Sequence, residues 1–143
     1  VSRSDDGGRS FTPPVAVTPE PEAIAADGES RPKIAVAADG AVHVSWNQSL
    51  GKPMSGHIRY ARSTDAGKTF SRPVILNDDR QEISHRFDAL AIDGRGRVAA
   101  VWLDARGRDA KAVKGSPATG VGLYAAVSED GGASFGRNRK LRT

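Results

Sequence analysis

From residue 33 onward, short runs in which apolar and polar residues alternate are broken by Asp-Gly and Gly-rich turns, a pattern that predicts strands rather than helices. In Val42-His43-Val44-Ser45-Trp46 the alternation puts Val42, Val44 and Trp46 on one face and His43 with Ser45 on the other. The expected elements are an inner strand at 33–38, a hairpin turn at Asp39-Gly40, and further strands at 41–47, 57–62 and 73–76. The order then repeats with strands at 87–92, 97–103 and 122–127 and a shortened fourth at 137–142, Trp102 taking the place of Trp46. Residues 1–11 read as the end of an earlier third strand and its turn. Val15-Ala16-Val17 follows as a short outer strand among prolines, and 18–32 is a link. Alanines at 35, 37, 38, 89 and 91 suit inner strands that converge on a narrow axis.

Three octamers punctuate these runs: Ser4-Asp5-Asp6-Gly7-Gly8-Arg9-Ser10-Phe11, Ser63-Thr64-Asp65-Ala66-Gly67-Lys68-Thr69-Phe70 and Ser128-Glu129-Asp130-Gly131-Gly132-Ala133-Ser134-Phe135. All read S-x-D-x-G-x-[ST]-F, and their starts lie 59 and then 65 residues apart, which marks a repeat architecture. The Asp is expected to accept hydrogen bonds from backbone N–H groups a residue or two further on, and the Gly to supply a positive φ. The hydroxyls add local side-chain bonds, and the Phe re-enters a strand and anchors the turn.

This pattern resembles the Asp-box, or bacterial neuraminidase repeat, of the sialidase superfamily. The resemblance implies an all-β fold, a partial sialidase-like β-propeller of about two complete four-stranded blades plus pieces. Residues 1–17 would end one blade, 33–76 form a complete blade and 87–143 the next, all of 1–143 belonging to one propeller domain. It also implies that Ser4, Asp6, Gly8, Phe11, Ser63, Asp65, Gly67, Phe70, Ser128, Asp130, Gly132 and Phe135 are structural residues, on the side away from a catalytic pocket.

Two blades leave apolar faces uncovered, so the chain is expected to be a piece of a longer protein or to complete a ring with other copies. Apolar residues make up 38% of the sequence, within the range of globular domains. No apolar run approaches the ~18 residues of a membrane span. The absence of cysteine excludes disulfides and thiolate chemistry within these residues. A net charge of +4 points weakly to an anionic partner, but only eight aromatics (2 Trp, 2 Tyr, 4 Phe) are present and they are not interleaved with the basic residues, so nucleic acid is not expected. The compartment is not legible in the residues; the resemblance alone suggests a secreted or periplasmic protein.

Strand order places the octamers and the inner hairpins at one end of the sheets. Residues 47–57, 77–87 and 103–121 lie at the other, the end that carries the ligand site in the family. The loop after Leu103 contains Arg106, Arg108, Lys111 and Lys114 with Asp104 and Asp109, and the link before it adds Arg80, Glu82, His85 and Arg86. Guanidinium groups on a concave face can hold a carboxylate or sulfate through paired bonds. A flexible solvated loop accounts for the same composition equally well.

His85-Arg86-Phe87-Asp88 is similar to the Phe/Tyr-Arg-Ile-Pro motif of sialidases, with Arg86 in the position of a carboxylate-binding arginine. Arg31 in Ser30-Arg31-Pro32 is a looser echo, and by loop placement Asp109 would be the general acid/base. Neither Tyr60 nor Tyr124 matches the family's nucleophile, and both read as packing residues. His43, His57 and His85 lack the spacing of a metal motif, and neither cofactor nor metal is expected. Two functions follow: an exo-sialidase-type glycoside hydrolase acting on anionic glycans, or a non-catalytic propeller that binds glycan or protein or serves as a scaffold. The 143 residues alone are expected to be catalytically inactive.

Overall fold

A computed structural model describes residues 1–107 and 120–142, and within them every regular element is a strand. β1 (Lys33–Val36), β2 (Val42–Ser49), β3 (Gly56–Ser63) and β4 (Val74–Ile75) form one antiparallel sheet in sequential order. β5 (His85–Ile92), β6 (Val98–Asp104), β7 (Gly122–Ser128) and β8 (Arg139–Arg142) form a second. The two four-stranded units expected from the alternation are therefore present, the last with a paired fourth strand. Residues 1–17 form no regular strand, so the short strand expected at Val15-Ala16-Val17 is absent: the prolines at 13 and 14 remove ladder donors, and only Val1 and Val15 exchange backbone hydrogen bonds, of 2.7 and 2.8 Å.

The inner hairpins turn where Asp and Gly coincide. At the β1–β2 turn Gly40 adopts a φ of 85°, and the Asp39 carboxylate accepts the Ala41 N–H at 3.0 Å. At the β5–β6 turn the Asp93 carboxylate accepts two N–H groups, from Arg95 and Arg97, at 2.9 Å each.

The octamers share one geometry. In the second, Ser63 Oγ donates to Asp65 Oδ1 (2.6 Å) and accepts the Gly67 N–H (2.8 Å), while Asp65 Oδ1 accepts the N–H groups of Lys68 and Thr69 (3.1 and 2.9 Å). Thr69 Oγ1 donates to the other carboxylate oxygen at 2.6 Å. Ser4–Asp6–Ser10 and Ser128–Asp130–Ser134 repeat these bonds. The carboxylate thus caps N–H groups three and four residues on, not one or two. Consecutive left-handed residues at the fourth and fifth positions (Ala66 59°, Gly67 82°) curl the chain back over the Asp and cause this shift. Phe70 and Phe135 pack inward as expected, whereas Phe11 is 65% exposed.

β2 is buried on both faces. Val42, Val44 and Trp46 pack with Ala61, Val1, Val17 and Phe70, and the opposite face meets the second sheet. Between the sheets lies a second core, in which Ile58, Tyr60 and Leu76 of the first sheet cover Val98, Ala100, Trp102, Leu90 and Ile92 of the second.

The strand registers make Ile34 and Val36 the counterparts of Leu90 and Ile92. Leu90 and Ile92 are covered, but Ile34 and Val36 are 57% and 65% exposed, so the outward face of the first sheet lacks the partner that its counterpart has. A mostly apolar hollow of about 660 Å³ lies over that face, and one of about 530 Å³ lies over the far face of the second sheet. Both are uncovered sheet surface away from the loop end.

Candidate functional site

Antiparallel pairing brings the end of β2, the start of β3, the start of β5 and the end of β6 to one margin of the two sheets. There Ser49 lies opposite Gly56, and His85 opposite Asp104. A bulge between Arg86 and Ala89, with Phe87 at a φ of 57°, breaks the alternation of β5. Both His85 and Asp88 consequently turn into the interface with the first sheet, and Arg86 is left facing a cleft.

The seam below this cleft is polar and largely paired. His85 Nδ1–H donates to the Gly56 carbonyl at 2.7 Å, the Asn47 amide donates to the His85 carbonyl, and Ser45 Oγ donates to Asp88 Oδ2 at 2.6 Å. Gly56 is required here, because a Cβ at that position would lie 2.5 Å from Asn47 Oδ1. Burial pushes the Asp88 carboxyl above the ordinary carboxylate range, against the opposing effect of Ser45, and its second oxygen has no donor. His57 accepts a hydrogen bond from the Asn77 amide at 3.1 Å; burial, then the charge of His85, pushes its pKa down.

Arg106 closes the margin on the other side. Its Nε and Nη2 donate to Asp104 Oδ2 (3.0 and 2.8 Å), Nη1 donates to Asp78 Oδ1 (2.7 Å) and Nη2 also reaches Asn138 Oδ1 (2.9 Å). The guanidinium carbon stands 4.3 Å from the centre of the Tyr124 ring. Burial works against the charge of Arg106, but Asp104 and Asp78 more than offset it and raise its pKa. Burial likewise opposes the Asp104 charge, which the bonds from Arg106 nonetheless hold below the usual range.

Asp79, His85 and Asp104 each bring a ligand atom within 4.8 Å of the others, a donor set of the kind that binds divalent ions. Arg106 already lies against both carboxylates, 2.8 Å from Asp104 and 3.6 Å from Asp79. An entering cation would meet that fixed positive charge.

The cleft itself, about 370 Å³, is lined by Ile24, Asp27, Asn47, Lys52, Ser55 and Arg86 among others. Arg86 pairs with the Asp27 carboxylate, donates from Nε to Ser30 Oγ at 3.3 Å, and lies 5.2 Å from the Phe87 ring centre. Lys52 pairs with Glu82 at 2.5 Å. The pKa values of Asp27 and Glu82 are both lowered, chiefly by hydrogen bonds from Arg86 and Lys52 respectively.

Of the arginines singled out in the sequence, Arg86 is the one among the described residues that lines this cleft. Arg106 is turned into the Asp104–Asp78 network, and the Arg31 side chain is exposed without a partner among the described residues. Asp109 lies outside the described residues, as do Arg108, Lys111 and Lys114. Tyr60 is buried against Phe135, and Tyr124 lies beneath Arg106. The octamers stand at the far end of the strands, beyond the ends of β3 and β7. Sequence reading placed Asn47 and Lys52 at this end, within 47–57, without singling them out, and missed Asp27, whose only local signal was the Asp27-Gly28 turn.

No protein-family profile and no curated protein matches this chain. Among solved structures, the Hadza microbial sialidase Hz136 matches with a TM-score of 0.56 at 19% identity, over 77% of this chain and 25% of that one. An ulvan lyase of polysaccharide lyase family PL25, bound to -[GlcA(1-4)Rha3S]-, matches with a TM-score of 0.47 at 16% identity, over 80% of this chain and 25% of that one. The chain thus spans about a quarter of the length of both of these structures. Its two sheets have the sialidase-like fold, as part of a β-propeller.

Proposed function

We propose that the chain is the part of a carbohydrate-active, sialidase-like propeller that holds an acidic sugar at the loop end of its sheets, with Arg86 as the carboxylate-binding residue. The observation that carries this reading is the position of Arg86. It stands at the mouth of an inner strand, turned outward by a bulge at a left-handed Phe87, with its guanidinium lining the cleft. Backbone strain of this kind persists where the surroundings impose it, often at ligand sites. A planar guanidinium matches a carboxylate through two parallel bonds.

In this reading the octamers are Asp-boxes that hold the corners of the blades and take no part in chemistry. The open face at Ile34 and Val36 is covered by further strands, from a longer chain or from other copies. The parent protein is either an exo-sialidase-type hydrolase, with Asp109 as its acid, or a glycan-binding propeller without turnover. The binding reading is favoured for these residues because His85-Arg86-Phe87-Asp88 departs from the Phe/Tyr-Arg-Ile-Pro motif at every position but the arginine.

Titration of the chain with N-acetylneuraminate, followed by amide NMR, is expected to shift residues around the cleft, and Arg86→Ala is expected to abolish the response. An unchanged response in Arg86→Ala would remove Arg86 from the site. Release of a fluorophore from a sialoside by the chain alone would overturn the binding-only reading.

A further inference from the structure

The cleft cations are not free: Asp27 sits on Arg86, and Glu82 on Lys52. The two pairs differ in construction. Arg86 is fixed from beneath by Ser30, which is fully buried, and only 13% of its side chain is exposed; Asp27 caps it from the solvent side with 69% of its own side chain exposed.

Asp27 belongs to a short exposed turn, 26–29, pinned at both ends. On one side the link bonds the end of β2, Ala25 N–H to the Asn47 carbonyl at 2.9 Å and Ser49 N–H to the Ala23 carbonyl at 2.8 Å. On the other, Ser30 is fully buried, and its N–H closes the turn onto the Asp27 carbonyl at 3.0 Å. Between these anchors Gly28, at a φ of 54°, is a backbone position that can change course at low cost.

We infer that Asp27 is a built-in stand-in for the carboxylate of an acidic sugar, and that the 26–29 turn gates the cleft by releasing Arg86 only to a ligand that replaces this charge. The inference rests on the assignment of the cleft as an acidic-sugar site. Asp27 holds the pair from the solvent side, with 69% of its own side chain exposed, so an incoming carboxylate that adds contacts within the cleft displaces it. A neutral sugar offers nothing to compensate the Arg86 charge and leaves the turn closed. Ser30 keeps the guanidinium oriented while the partners exchange, so the gate makes the site selective for anionic sugars at a modest cost in affinity.

The test compares wild type, Asp27→Asn, Arg86→Ala and the double variant for binding of N-acetylneuraminate and of neutral methyl glucoside. Asp27→Asn is expected to bind N-acetylneuraminate about three- to fivefold more tightly than wild type, matching loss of a competing ion pair whose carboxylate is largely in solvent. The gain is expected to vanish in the double variant, and methyl glucoside to bind to none of them. If Asp27→Asn binds N-acetylneuraminate as wild type does, or more weakly, Asp27 orients Arg86 and the gate is wrong while the sugar site stands. If neither wild type nor Asp27→Asn binds N-acetylneuraminate, both the gate and the sugar site fall.

Discussion

The guanidinium of Arg62 donates a 2.6 Å hydrogen bond to the carbonyl of Gly131, tying the third strand of the first sheet to the corner of the second. One repeat earlier Arg3 makes the same link, more loosely, to the Ala66 carbonyl at 3.3 Å. Each arginine directly precedes the Ser of one octamer, and the carbonyl it reaches belongs to the fourth residue of the next octamer. Arg62→Met is expected to destabilise the fold by about 1.5–3 kcal/mol, the range for hydrogen bonds to a charged group, and Arg3→Met by less. The denaturation midpoints of the two variants in urea check the order.

The same corner sets an expectation for glycine. A Cβ on Gly132 would lie 1.8 Å from Tyr60 Oη, whereas one on Gly8 would meet nothing within 4 Å; both residues have a φ near 85°. Gly8→Ala therefore carries backbone strain alone, about 1–2 kcal/mol. Gly132→Ala adds overpacking to that and is expected to cost about 2–5 kcal/mol. Equal melting temperatures for the two variants would contradict the close approach to Tyr60.

Asp88 gives stability a pH dependence of definite sign. Its folded-state pKa is raised, so the folded chain binds more protons than the unfolded chain between the two values, and stability falls as pH rises through that window. Asparagine keeps an acceptor for Ser45 and does not ionise. The melting temperature of Asp88→Asn minus that of wild type is expected to grow from pH 4 to pH 7, and a flat difference would count against a raised pKa at this site.

The octamer carboxylates behave in the opposite sense. Ser10, through its side chain and its backbone N–H, and then Ser4 hold Asp6 down to about 2, and Asp65 and Asp130 are lowered by the same kind of bonds. Their contribution is present above the ordinary Asp value and is lost as pH falls through the lowered one. Carboxyl carbon NMR is expected to show Asp6 titrating near pH 2, and Ser10→Ala to move it upward.

Arg106 neutralises a fully buried Asp104. Arg106→Met leaves that carboxylate without its cation and is expected to cost about 3–5 kcal/mol, with Arg106→Lys between the two because it keeps the charge and loses the fork. Equilibrium urea unfolding of the three proteins measures both steps.

The strands were legible because each blade repeats a period-two pattern ending in an Asp-Gly turn, and the octamers because their spacing survives in residue types. The alternation also gave the correct faces of β2. It did not show that the face of His43, Ser45 and Asn47 is buried as well, since burial there depends on a neighbouring sheet about 40 residues away, as in the pairing of Ser45 with Asp88. The bulge at Phe87 was invisible because nothing about Phe announces a left-handed φ. Arg86 was found through a motif, but its partner Asp27 lies 59 residues earlier in a link without periodicity. Arg106 was read as part of a ligand-facing cluster; its commitment to Asp104 and Asp78 follows from the close meeting of two sheet margins, which no local pattern encodes.

Much of the seam between the sheets is made by side chains that donate to main-chain carbonyls: Arg62 to Gly131, Asn47 to His85, His85 to Gly56 and Asn138 to Leu76. Every amino acid supplies such an oxygen, so the receiving positions are free to drift in evolution while the donors and the chain path stay put. Neighbouring repeats joined in this way can diverge far in sequence and still recognise one another.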